Sequence, residues 1–157
     1  MSQKFPATID CAKVERRSGS RYPEIYRGEV AARSAAALGT LFGLEQFGVN
    51  IVTLEAGAWS SHRHAHQTED EFVYVIDGEL TLADDAGDHL MTAGMCAGFK
   101  AGTGNGHHLK NLSDKPASFL VAGTRANADH VTYSDIDMLA IKDGGPWRFT
   151  KKDGSAF

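Results

Sequence analysis

His62-Arg63-His64-Ala65-His66-Gln67-Thr68-Glu69-Asp70-Glu71-Phe72-Val73-Tyr74-Val75-Ile76-Asp77-Gly78 is the stretch that decides how the chain folds. Three of the seven histidines alternate here with other residues. On a β-strand, residues two apart share a face, so His62, His64 and His66 predict one stripe of imidazoles. Glu69 and Glu71 then lead into Phe72–Ile76, whose β-branched and aromatic residues predict a strand. Asp77-Gly78 predicts a tight hairpin turn. Imidazoles on one face, followed closely by a carboxylate, suit a divalent first-row metal such as Zn, Fe, Ni, Co or Mn.

Strands continue on both sides of this stretch. Upstream, Phe47, Val49, Ile51 and Thr53 fall on one face and Val52 and Leu54 on the other. Downstream, Leu80–Ala83, His89–Thr92, His107–Leu112 and Ala117–Thr124 predict further short strands, separated by Gly-, Asp- and Pro-containing breaks. That spacing is the pattern of an all-β sandwich or barrel. Val30–Leu38 is rich in alanine and predicts a short helix ended by Gly39. Residues 1–46 predict an N-terminal arm, 47–124 the β core and 125–157 a C-terminal extension, all within one domain. Trp147 and Phe149 alternate with polar residues and predict one late strand, with Trp147 as a packing anchor.

The 157 residues suffice for one core. Sixteen basic and twenty acidic side chains give a net charge of −4. With no basic run or stripe, neither nucleic acid nor an anionic membrane is the expected partner. Cys11 and Cys96 are far apart and outside any C-x-x-C pair, so no disulfide framework is expected. The start of the chain has no apolar signal segment, and no apolar run is long enough to span a bilayer. A cytoplasmic protein with a small-molecule ligand is the resulting expectation.

A second cluster of chemistry follows at Gly102-Thr-Gly-Asn-Gly106-His107-His108-Leu-Lys-Asn111. His107, Leu109 and Asn111 share one strand face, and His108 and Lys110 the other. Either histidine could complete a site begun upstream.

Together the two stretches resemble the motifs of the cupin superfamily, G-x5-H-x-H-x3,4-E-x6-G and G-x5-P-x-G-x2-H-x3-N. His64-Ala-His66 is followed by four residues, Glu71, six residues and Gly78; His107 is followed by three residues and Asn111. The resemblance spans roughly residues 47–124. Three departures stand out: six residues rather than five separate Gly57 from His64, Lys100 replaces the proline, and the Gly102–His107 interval is two residues longer. His62-x-His64 with Glu69 also fits H-x-H-x4-E, but only Glu71 stands six residues before a glycine. Glu71 also shares parity with Val73 and Val75, which puts it on the core side.

The resemblance implies a cupin-type β-barrel (a jelly roll, or double-stranded β-helix) that holds one divalent ion (Zn, Fe, Mn or Ni) through His64, His66, Glu71 and His107. Its nearest counterparts are small single-domain cupins described as sugar-phosphate isomerases. It therefore implies metal-assisted isomerisation, with His62 and Glu69 as candidate bases and Arg63, Lys100 and Lys110 as candidate phosphate partners. An iron dioxygenase or lyase-type cupin is the rival enzyme. A non-enzymatic ligand sensor is the rival of another class. No helix-turn-helix pattern precedes the strands, which disfavours direct transcriptional regulation. Homodimers are common in the superfamily, and the arm and the extension are long enough to wrap a second copy.

Overall fold

The computed structural model describes residues 5–157; residues 1–4, the start of the predicted arm, lie outside it. Thirteen strands and one turn of α-helix follow in order: β1 (Arg17–Ser18), β2 (Arg33–Ala36), α1 (Leu38–Leu41), β3 (Phe47–Leu54), β4 (His64–His66), β5 (Glu71–Asp77), β6 (Glu79–Asp84), β7 (Gly87–Thr92), β8 (Cys96–Phe99), β9 (His108–Lys110), β10 (Ala117–Thr124), β11 (Ala128–Tyr133), β12 (Leu139–Asp143) and β13 (Arg148–Thr150). They form three antiparallel sheets, ordered β1-β2-β3-β10-β5-β8, β13-β12-β11-β4 and β7-β6-β9. The all-β expectation holds. Among the described residues, no helix is long and apolar enough to cross a membrane.

Alternation along the strands builds the core. Val52 and Leu54 of β3, Val73 and Val75 of β5, and Phe119 of β10 meet Leu80, Leu82, Met91 and Leu109 of the three-stranded sheet. The opposite parity of β5, Phe72, Tyr74 and Ile76, is exposed. A second cluster gathers Val131, Tyr133, Met138 and Ala140 against Tyr22, Tyr26, Trp147 and Phe149. Residues after 125 thus add three strands, one of which, β11, pairs with histidine-bearing β4.

Two local expectations fail for physical reasons. The alanine-rich segment is not a helix over Val30–Leu38: β2 pairs with β3, and the helix is the single turn Leu38–Leu41. A nine-residue helix is marginal alone. The open edge of β3 supplies backbone partners and buries Ala36 completely. Nor is Asp77-Gly78 a hairpin. β5 pairs with β8 and β10, whereas β6 pairs with β7 and β9, so the chain crosses here from one sheet to another. The tight β-turn lies instead at Asp85-Ala86, between Asp84 and its partner Gly87.

Gly78 is required at that crossing. Its φ is +79°, and a Cβ there would stand 2.7 Å from the Ala117 Cβ and 2.9 Å from its Cα. Gly78→Ala is expected to destabilise the fold by about 3 kcal/mol, from overpacking plus a left-handed backbone. Urea unfolding with an unchanged m-value would register this as a lower midpoint.

Candidate metal centre

β4 carries His64 and His66 on the face opposite buried Ala65. β5 begins with Glu71 on the side of Val73 and Val75. His107 precedes β9 and is tied to His64 by two reciprocal backbone bonds: His64 N–H to the His107 carbonyl (3.1 Å) and His107 N–H to the His64 carbonyl (2.9 Å). Segments some forty residues apart in sequence are thereby clamped side by side.

The three imidazoles converge on one carboxylate oxygen. Glu71 Oε2 lies 3.0 Å from His107 Nε2, and 3.6 Å from the Nε2 of both His64 and His66. The donor atoms of His64, His66 and Glu71 all lie within 4.8 Å of one another, a spacing one ion can bridge. Burial alone would push the Glu71 carboxyl up. Hydrogen bonds with His107 and His64, with the charge of His64 and His66, outweigh it and hold the group well below the usual carboxylate range.

The outer nitrogens are also held. His64 Nδ1–H donates to the His62 carbonyl at 2.9 Å, and His66 Nδ1–H to Asp129 Oδ2 at 2.5 Å. His107 Nδ1 has a longer contact, 3.4 Å, to the Asn105 carbonyl. An acceptor at Nδ1 keeps the proton there and leaves Nε2 as a lone pair. Neutral, with the proton on Nδ1, His64 and His66 would turn Nε2 lone pairs toward Glu71, where one cation can replace the imidazolium protons that otherwise face that carboxylate. This is the test that the donor set passes as a metal site.

Asp129 was not legible as part of the site. It is 1% exposed, and its Oδ1 accepts from Gln67 N (3.1 Å), Thr68 N (2.8 Å) and Thr68 Oγ1 (2.9 Å). Its place depends on the β11–β4 register, with Val131 opposite His66, which no local pattern announces.

The other candidates separate clearly. His62 was expected on the imidazole stripe, as a candidate base. Instead it is buried, with its ring among Tyr22, Tyr26 and Trp59 and its Nε2 donating to the Tyr26 carbonyl at 2.8 Å. The chain bends before β4 begins at His64, so the strand alternation does not reach residue 62. Glu69 lines the cavity beside His64 and His66; its Oε1 accepts from Ala126 N and lies 3.6 Å from Lys142 Nζ. His108 also borders the inner cavity but makes no contact with Glu71. It packs on Trp59, donates Nδ1–H to the Ser61 carbonyl, and is pushed down by burial to about 4. Arg63 is committed to Asp85 and Asp135, and Lys110 to Asp88, so neither is free for phosphate. Asn111, fully buried, donates to the carbonyls of Leu54 and Lys115.

Two cavities meet these residues. An inner one of about 210 Å³ is lined by Tyr22, Arg33, His64, Glu71, Phe99 and His107, among others. A wider one of about 700 Å³ is lined by Tyr22, His64, His66, Glu69, Tyr133, Trp147 and Phe149, with Arg21, Arg27 and Arg148 at its polar side. Trp147, expected as a packing anchor, both packs against the second core cluster and faces this wider cavity.

The cupin domain family matches residues 50–123. A cupin-superfamily sugar phosphate isomerase from Silicibacter pomeroyi is 49% identical, with a TM-score of 0.92 over 96% of each chain. The chain belongs to the cupin superfamily. A candidate sugar phosphate isomerase from Acidithiobacillus ferrooxidans is 26% identical, with a TM-score of 0.72 over 80% of each chain. A polyketide cyclase from Streptomyces resistomycificus shares the fold at 17% identity, with a TM-score of 0.64 over 76% of this chain and 80% of its own. The comparison with curated proteins gives no match.

Proposed function

We propose that this chain holds one divalent ion through His64, His66, Glu71 and His107, and isomerises a small sugar or sugar phosphate beside it. The observation that carries this is the convergence of three Nε2 atoms on Glu71 Oε2 within 3.0–3.6 Å. The sugar phosphate isomerase that is 49% identical over nearly the whole chain supports the choice of chemistry. Zinc, iron, manganese and nickel all suit this donor set. When bound, such an ion polarises a carbonyl oxygen and steadies the negative charge that develops on it.

The protein's own groups supply the rest. Glu69 borders the wider cavity and is our candidate for the base that moves a proton between neighbouring carbons. His62, hydrogen-bonded to Tyr26 and away from the cavity, is left out of that role. Tyr133 and Trp147 wall the approach. A homodimer is part of the proposal as well; the exposed Phe72, Tyr74 and Ile76 of β5 offer apolar surface for a second copy.

The test is proton NMR in D₂O with aldose phosphates and the protein loaded with each of the four metals. Aldose–ketose conversion with deuterium incorporated next to the carbonyl is expected. It should fall at least about a hundredfold in Glu69→Gln, with metal content unchanged. If no loaded form gives conversion or exchange, the isomerase assignment fails. Oxygen consumption by the iron form alone would replace it with an oxygenase.

A further inference from the structure

β2 pairs with β3 so that Arg33 stands opposite Leu54 and Ala35 opposite Val52. Cross-strand partners share a face, and Leu54 and Val52 face the core. Arg33 therefore stands on the inward face and borders the 210 Å³ cavity that His64, Glu71 and His107 also line, as well as two adjoining clefts. Its Nε is sealed from solvent and has no hydrogen-bond partner. The arginine–carboxylate pairs among the described residues belong to Arg63 and Arg148, not to Arg33. Burial pushes its ionisation down from the ordinary arginine value, with only Tyr22 opposing. A guanidinium half-withdrawn from water, its Nε sealed and no carboxylate paired with it, gains when something anionic arrives beside it. Its planar fork matches the two oxygens of a phosphoryl or carboxylate group.

We propose that Arg33 receives an oxyanion of the substrate, phosphoryl or carboxylate, on the β2 side of the inner cavity, while the substrate's other oxygens face His64, His66, Glu71 and His107. This deepens the proposed function and rests on it only in placing the substrate beside His64 and Glu71, which line the inner cavity. Arg21, Arg27 and Arg148 border the wider cavity instead. Arg27 already donates to the Tyr22 carbonyl and Arg148 is paired with Asp143. That leaves Arg21 as the rival anion holder; it shares an outer cleft with Arg33 but does not line the inner cavity.

The experiment is isothermal titration of inorganic phosphate and of acetate into wild type, Arg33→Met, Arg33→Lys and Arg21→Met, each metal-loaded and each stripped with chelator. Arg33→Met is expected to weaken binding of the preferred anion by roughly tenfold or more. Arg33→Lys should weaken it less, since it keeps the charge but not the fork. Arg21→Met should leave it within about twofold, as an exposed charge does. Preference for phosphate assigns a phosphoryl group and preference for acetate a carboxylate. Equal affinity in wild type and Arg33→Met, or no binding of either anion by wild type, overturns the proposal. Metal content read on the same samples separates the two ideas. Arg33-dependent binding by chains that take up no metal on loading keeps this proposal and removes the metal centre; Arg33-independent binding by chains that do take it up does the reverse. Near-UV circular dichroism checks folding, and Arg33→Gln replaces Arg33→Met should the latter fail to fold.

Discussion

His107→Ala is expected to lower the purified protein's metal content from about one ion per chain to under about a tenth, because the ion loses the one donor supplied by the second chain segment. Elemental analysis is the measurement, with His66→Ala as a parallel variant. A stability experiment sharpens it. An ion present at about a hundred times its dissociation constant stabilises the folded chain by about 2.7 kcal/mol. Chelator should therefore lower the melting temperature of wild type by several degrees and leave His107→Ala unmoved. The variant removes a side chain that packs face to face on Phe99, ring centroids 3.5 Å apart, so some loss of stability is expected without any metal. The chelator difference, not the absolute melting temperature, carries the argument. Stoichiometric metal in both variants would remove His66 and His107 from the site.

The second large effect is at Asp129. Asp129→Ala leaves Thr68 N and His66 Nδ1 without an acceptor in a site closed to solvent, while Gln67 N keeps the His130 carbonyl and Thr68 Oγ1 the Ala128 carbonyl. A loss of about 3–5 kcal/mol is expected, the usual result of removing one partner from a buried ionic network. Asp129→Asn separates folding from metal binding. An asparagine oxygen can still serve Gln67 and Thr68, which places its NH₂ against His66 Nδ1. That ring must then accept at Nδ1 and carry its proton on Nε2, toward Glu71, where an ion needs a lone pair. Flipping the amide would set NH₂ against the two backbone donors Gln67 N and Thr68 N and is no remedy. Asp129→Asn should therefore unfold at a urea concentration much closer to wild type than the alanine variant. Its metal affinity should drop about 10–100-fold, as for other groups that orient a ligand. Undiminished metal affinity in Asp129→Asn would break the link between Asp129 and the centre.

How far these residues could be found without a structure depended on what held each in place. His64, His66 and Glu71 followed from strand parity and from the distance to Gly78, both local properties. His107 over His108 followed from the family spacing, and it is the His107 Nε2 that lies 3.0 Å from Glu71. Gly78 was correctly singled out but assigned the wrong task, because a hairpin and a crossing between sheets both call for a left-handed backbone there. Arg33 was lost inside an alanine-rich stretch. Helix propensity differs by under about 1 kcal/mol per residue between such choices, less than an open sheet edge provides, and the error concealed an inward-facing charge. Asp129 lay beyond local reasoning because its role comes from a pairing more than sixty residues away.

That pairing also orders events during synthesis. β4 leaves the ribosome long before β11 exists to pair with it, and until translation passes Asp129 nothing sets the proton position on His66. A growing chain that already displays all four proposed donors would still hold a cation poorly. Loading of the ion would then fall to the finished polypeptide, drawing on whatever cations surround it at that moment rather than during emergence from the exit tunnel.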